Sequence, residues 1–146
     1  MLATMIYAAI LSLVPYHHAV QSNDEVVIRQ QVTSFYSYFS KGQYEQMWDM
    51  LSKKLQKGNE DNKEKYVEDL RRYGIIGVEF QIKGVHLEGN CAKVRLTLNL
   101  KSKFDKPPQW VRVEEEDTWI LEDGQWHFDN FEELNSSVLN GKDTDR

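Results

Sequence analysis

Residues 119–128 read Trp119-Ile120-Leu121-Glu122-Asp123-Gly124-Gln125-Trp126-His127-Phe128, two runs of alternating apolar residues around Asp123-Gly124. Asp-Gly is a favoured pair for a two-residue hairpin turn, because both central positions need positive φ and the turn's twist matches that of the flanking strands. Such a turn sets Leu121 against Trp126 and Trp119 against Phe128. The large rings then share one face, and that face is the core.

Working back from the hairpin, the same parity passes through Asp117, Glu115, Val113 and Val111, so the strand runs from about Trp110 to Glu122. Lys106-Pro107-Pro108 interrupts the pattern before it, as a connection should. Further upstream Ala92, Val94, Leu96, Leu98 and Leu100 alternate with Lys93, Arg95, Thr97 and Asn99, behind a Gly89-Asn90 turn. Its partner strand carries Ile76, Val78, Phe80 and Ile82 inward, after which Val85 and Leu87 fall out of phase. One extra residue near Gly84 restores agreement: Leu87 opposes Ala92, Val85 opposes Val94 and Ile82 opposes Leu96. A bulge is therefore expected there.

Before Gly74 the period is helical. Ser22-Asn23-Asp24-Glu25 supplies caps, and Ile28, Val32, Phe35, Tyr36 and Phe39 follow on one face up to about Lys41, with Gly42 as the C-terminal stop. A second stripe is Tyr44, Met47, Trp48, Leu51 and Leu55; a third is Tyr66, Val67, Leu70 and Tyr73. The expected fold is α+β: three N-terminal helices packed on a curved antiparallel sheet of four strands or more.

The 146 residues suit one domain, and 40% hydrophobic, 28% charged and 12% aromatic content is globular. A net charge of -5 without a run of Lys or Arg argues against nucleic acid as a partner. Residues 2–14 carry no charge and end at Pro15, too short to span a bilayer and suited to a secretory signal. Val20-Gln21-Ser22 fits a cleavage site, which divides the chain into a signal at 1–22, a domain at 23–132 and a polar tail at 133–146. A secreted or periplasmic protein with no membrane span in its mature chain is expected. Since no Lys or Arg precedes Leu2, an uncleaved N-terminal anchor is the alternative. Cys91 is the single cysteine, so no intrachain disulfide forms.

Three amphipathic helices followed by a four-stranded meander, with a Gly-bulged strand and the closing Trp119–Trp126 hairpin, resemble the nuclear transport factor 2-like superfamily (the cystatin-like, SnoaL- and ketosteroid-isomerase-like cone). The resemblance covers about Asn23 to Phe131. It implies helices closing the concave side of a bent sheet around a cavity. The superfamily holds steroid isomerases, dehydratases, polyketide cyclases, association domains and non-catalytic extracellular domains, so fold alone leaves function open.

On the inward face Glu115 and Asp117 sit among apolar residues, with Asn130 opposite Asp117. Carboxylates on such a face have raised pKa values through desolvation and mutual repulsion, which suits proton transfer. The competing reading takes Glu114-Glu115-Glu116-Asp117 as the solvated rim of a sheet. The resemblance to steroid isomerases implies an oxyanion hole, for which Tyr36 offers a phenol and Asp117 a carboxylic acid. The separate Asp base has no match, since Asp49 falls off the apolar face of the second helix. Tyr36, Trp48 and Trp119 read equally as core aromatics.

No histidine pair has ligand spacing and acids alternating along a strand give too few ligands per face, so no metal is expected, and without a phosphate loop or a Gly-rich dinucleotide fingerprint no cofactor is expected either. On the outer sheet face Trp110, Ile120, His127 and Phe131 offer a patch for a homodimer. The leading expectation is an exported non-catalytic domain that binds a small apolar ligand or a protein partner. Ligand contacts are expected from Asp117, Glu115, Asn130, Tyr36, Trp48 and Trp119. The alternatives are a cofactor-free isomerase, dehydratase or cyclase using Asp117, Glu115 and Tyr36, and a structural dimerisation module.

Overall fold

The computed structural model describes residues 22–130; the expected signal, the tail and Phe131 lie outside the described residues. Four helices, α1 (Asn23–Ser40), α2 (Tyr44–Asp49), α3 (Lys53–Gly58) and α4 (Lys63–Arg72), precede four strands, β1 (Ile75–Glu88), β2 (Cys91–Ser102), β3 (Trp110–Glu122) and β4 (Gln125–Phe128). The strands form one antiparallel sheet in the order β1-β2-β3-β4. It curves strongly into a half-barrel, consistent with a cone.

Local chemistry explains the helix boundaries. Ser22 has extended φ and ψ and its side chain accepts from Glu25 N, while Asp24 and Glu25 complement the positive end of α1. At the other end Gly42 takes φ 67°, and the Gln43 N–H reaches back to Tyr38 O at 2.9 Å, the six-residue closure of a Schellman motif. Ile28, Val32, Phe35, Tyr36 and Phe39 are all buried, which is the stripe that spacing predicts.

The second stripe is where structure and expectation differ. Instead of one helix there are two, because Leu51 leaves the helix and bridges Phe128 in parallel. Met50 O accepts from Phe128 N at 2.9 Å and Ser52 N donates to Phe128 O at 2.9 Å. The segment thereby covers the free edge of β4, which would otherwise expose a row of unpaired peptide groups. Ser52 restarts the chain as the cap of α3, its Oγ accepting from Leu55 N at 3.1 Å. The same hydroxyl donates to Asp129 Oδ1. Asn62 caps α4 in the same manner, accepting from Lys65 N at 2.9 Å, so the third helix begins earlier than its apolar stripe.

The sheet has the expected register. Ile82 pairs with Leu96, Gly84 with Arg95, Val85 with Val94 and Leu87 with Ala92, leaving Lys83 as the extra residue of the bulge. A second irregularity lies between Ile75 and Gly77, and it turns Ile76 out to solvent, where an inward position was expected. Leu121 faces Trp126 and Trp119 faces Phe128, with Asp123 and Gly124 both at positive φ. The core is the layer between α1 and the concave sheet. There Phe35 stacks on Phe128 at 4.5 Å, and Trp119 meets their rings edge-on at 5.7 and 5.6 Å.

Candidate functional site

Asp117 is 2% exposed on the concave face, opposite Val94. Strand alternation puts it there: Glu115, Asp117 and Trp119 turn inward while Glu114 and Glu116 lie exposed. The acidic run is therefore neither wholly a rim nor wholly a site. Burying a carboxylate is costly unless donors surround it. One donor comes from α1, where Tyr36 Oη donates to Asp117 Oδ2 at 2.7 Å. Another is Asn130 Nδ2, which donates to Asp117 Oδ1 at 3.2 Å.

Asn130 also repairs a backbone. The last main-chain bond of the β3–β4 pairing runs from Asp129 N to Thr118 O at 2.8 Å. Beyond it the Asn130 side-chain amide stands in for the next peptide. Its Oδ1 accepts from Thr118 N at 2.6 Å and its Nδ2 donates to Glu116 O at 3.4 Å. Asp117 is thus held between an amide that continues the ladder and a phenol from the helix layer.

The Tyr36 ring lies 5.4 Å from both Phe35 and Phe80. Burial pushes its phenol well above the usual range, and the charge of Asp117, the hydrogen bond to it and the charge of Glu115 push it further. Tyr36 is therefore a neutral donor at ordinary pH. Glu115 is half-buried opposite Leu96. It borders a depression of about 430 Å³ along Lys83, Arg95, Leu96, Glu114 and Glu116.

Of the residues singled out from sequence, Tyr36, Asp117 and Asn130 form one hydrogen-bonded chain with Glu115 beside it. Trp119 and Trp48 are placed differently. Trp119 is fully buried against Phe35 and Phe128, and its Nε1 has no partner. Trp48 packs on Tyr66 at 5.4 Å within the helix layer. Val111 keeps its inward parity opposite Leu100 but is about half exposed. Asp49 pairs with Lys63 at 2.9 Å on the surface.

Tyr66 was not legible as more than an apolar-stripe residue. Its hydroxyl is buried without a partner, and burial pushes the phenol up. Its electrostatic influence extends to Tyr36. A tyrosine standing where the stripe asks for leucine was the available signal. Among the described residues no group of three or more metal-ligating side chains comes together, and no helix is long and apolar enough to cross a membrane.

No protein-family model and no curated protein matches the sequence. Solved structures do. A protein from Streptomyces avermitilis described as a dehydratase of the nuclear transport factor 2-like family aligns with a TM-score of 0.54 at 16% identity, over 72% of this chain and 90% of its own. A designed chain of that fold aligns with a TM-score of 0.53 at 12% identity, over 73% and 95%. A SEC-C motif-containing protein from Rhodopseudomonas palustris gives 0.53 at 12% identity, over 68% and 73%. Identities this low speak to architecture alone. With its bent four-stranded sheet and helices on the concave side, this domain has the nuclear transport factor 2-like fold.

Proposed function

We propose that the domain binds a small, largely apolar ligand carrying a hydrogen-bond acceptor, without transforming it, between the helices and the concave sheet. The observations that carry this reading are the closed Tyr36–Asp117–Asn130 chain and the buried, unpartnered hydroxyl of Tyr66, whose electrostatic influence reaches Tyr36. Tyr36 spends its proton on Asp117, and Asp117 is inaccessible, so neither is poised as an acid or base toward a substrate. Tyr66 by contrast bears the cost of an unmade hydrogen bond, about 1–3 kcal/mol, which an acceptor on a ligand would offset. Half-buried Val78, Phe80 and Ile82 on the same face supply apolar surface.

The test is a titration with 2-naphthol, a fluorescent bicyclic phenol, against the intact chain and its Tyr66→Phe form. Saturable binding weakened about tenfold by Tyr66→Phe, worth about 1.4 kcal/mol, is expected. Absence of saturable binding, or equal affinity of the two chains, overturns the reading.

Glu115 sustains a second, catalytic reading: it is half-buried, two residues from Asp117, and its charge is felt at Tyr36. A cofactor-free isomerase or dehydratase using Glu115 as base would exchange the α-protons of a cyclic ketone for deuterium, and Glu115→Gln would abolish that exchange. The proposal also includes export, supported by the apolar residues 2–14. The mass of the N-terminus after expression in an exporting host decides between cleavage near Asn23 and a retained anchor.

A further inference from the structure

Among the described residues five large apolar side chains are conspicuously exposed, and four of them, Ile76, Phe104, Trp110 and Val111, belong to one end of the sheet. That end is built from the start of β1, the β2–β3 connection and the start of β3, tied together by Lys103 N donating to Gly74 O at 2.8 Å. Two glycines seat the aromatic rings. The Trp110 indole reaches across Lys101 so closely that a Cβ on Gly77 would come within 2.6 Å of it, and a Cβ on Gly74 would come within 2.5 Å of Phe104. Each ring lies beneath an ammonium group, Lys101 Nζ at 5.7 Å from the Trp110 centroid and Lys103 Nζ at 5.2 Å from that of Phe104.

Charge separates this end from the rest of the chain. Residues 101–112 contain Lys101, Lys103, Lys106 and Arg112 against the single acid Asp105, in a chain of net charge -5. Arg112 is paired with Glu114, whereas none of the three lysines enters an ion pair of the described residues. Half-exposed aromatic rings with lysine stems alongside them are the combination that settles at a bilayer interface, the rings at headgroup depth and the ammonium groups among phosphates. Lysines near an anionic leaflet are drawn to its lipid phosphates, and their contributions add.

We propose that this end, through Trp110 and Phe104 with Lys101, Lys103 and Lys106, docks on an anionic lipid surface. Charge complementarity selects that occupant: a second copy would bring the same lysines against one another.

The experiment uses the full chain with vesicles of phosphatidylglycerol and phosphatidylcholine in equal parts, carrying brominated acyl chains. Trp48, Trp119 and Trp126 are buried, so bromine quenching reports on Trp110, and Trp110→Phe should remove the quenched component. Lys101→Glu with Lys103→Glu and Lys106→Glu should lower the quenching at least tenfold at equal lipid, as should high salt, because both remove the attraction to lipid phosphate. Because every chain compared carries residues 1–21, attachment through that segment alone would leave Trp110 unquenched, which overturns the proposal. Equal quenching on purely neutral vesicles, or indifference to the charge reversals, overturns it too. A dimer at micromolar concentration that Trp110→Glu dissociates would assign the face to a second copy instead.

Discussion

Asn130 shows how much one side chain carries in this domain. Replacing it with aspartate removes two donated hydrogen bonds and sets a second carboxylate beside Asp117, at the 3.2 Å now spanned by amide and acid. Asn130→Asp should destabilise the fold by about 2–4 kcal/mol near neutral pH. The deficit should shrink in acid, since one shared proton relieves the repulsion and restores a donor. Urea melts of both chains between pH 4 and 7 measure this; a deficit independent of pH would mean that the two carboxylates do not face each other. Tyr66→Phe should act oppositely. It deletes a buried hydroxyl that has no partner, so the ligand-free chain should gain about 1 kcal/mol, read from the same melts. A loss would reveal a hydrogen bond made by that hydroxyl.

At the scale of elements, the break between α2 and α3 matters more than its length suggests. Ser52 is fully buried, caps α3, bonds Asp129 and anchors the segment that closes the edge of β4. Ser52→Ala removes the first two together and leaves Asp129 without that donor. The expected cost is about 2–3 kcal/mol, measured as the shift in the urea midpoint. Ser52→Thr, which retains the hydroxyl, should recover part of it. A change within a few tenths of a kcal/mol would show that the edge is held by Leu51 packing alone.

For the whole molecule, alkaline pH supplies a linked test. Tyr36 and Tyr66 have folded-state pKa values above the unfolded value of about 10. A raised folded pKa leaves its stabilisation intact below the unfolded value and loses it as pH climbs beyond, because only the unfolded chain then releases the proton. Each phenol should therefore steepen the fall in stability above pH 10 by up to about 1.4 kcal/mol per pH unit. Unfolding free energies from urea melts at stepped alkaline pH should fall less steeply in Tyr36→Phe and in Tyr66→Phe. Parallel slopes for all chains would mean that these phenols titrate alike in both states.

The strand register beyond Gly77, a bulge beside Gly84, the Asp123-Gly124 hairpin, the first helix and the inward parity of Glu115 and Asp117 were written in the sequence. Each depends on short-range rules: period 2 or 3.6, turn residues needing positive φ, and caps within one turn. What parity cannot say is how deep an inward position lies. Asp117 and Val111 share a face, yet one is buried beneath α1 and the other about half exposed, because the helices cover only part of the cone. The splitting of the second helix was equally out of reach, since Leu51 leaves it to bond Phe128, far away in the chain. The pairing of Tyr36 with Asp117 spans 81 positions. Only tertiary packing brings such groups together, and it does so because a buried carboxylate must find its donors wherever the fold can offer them.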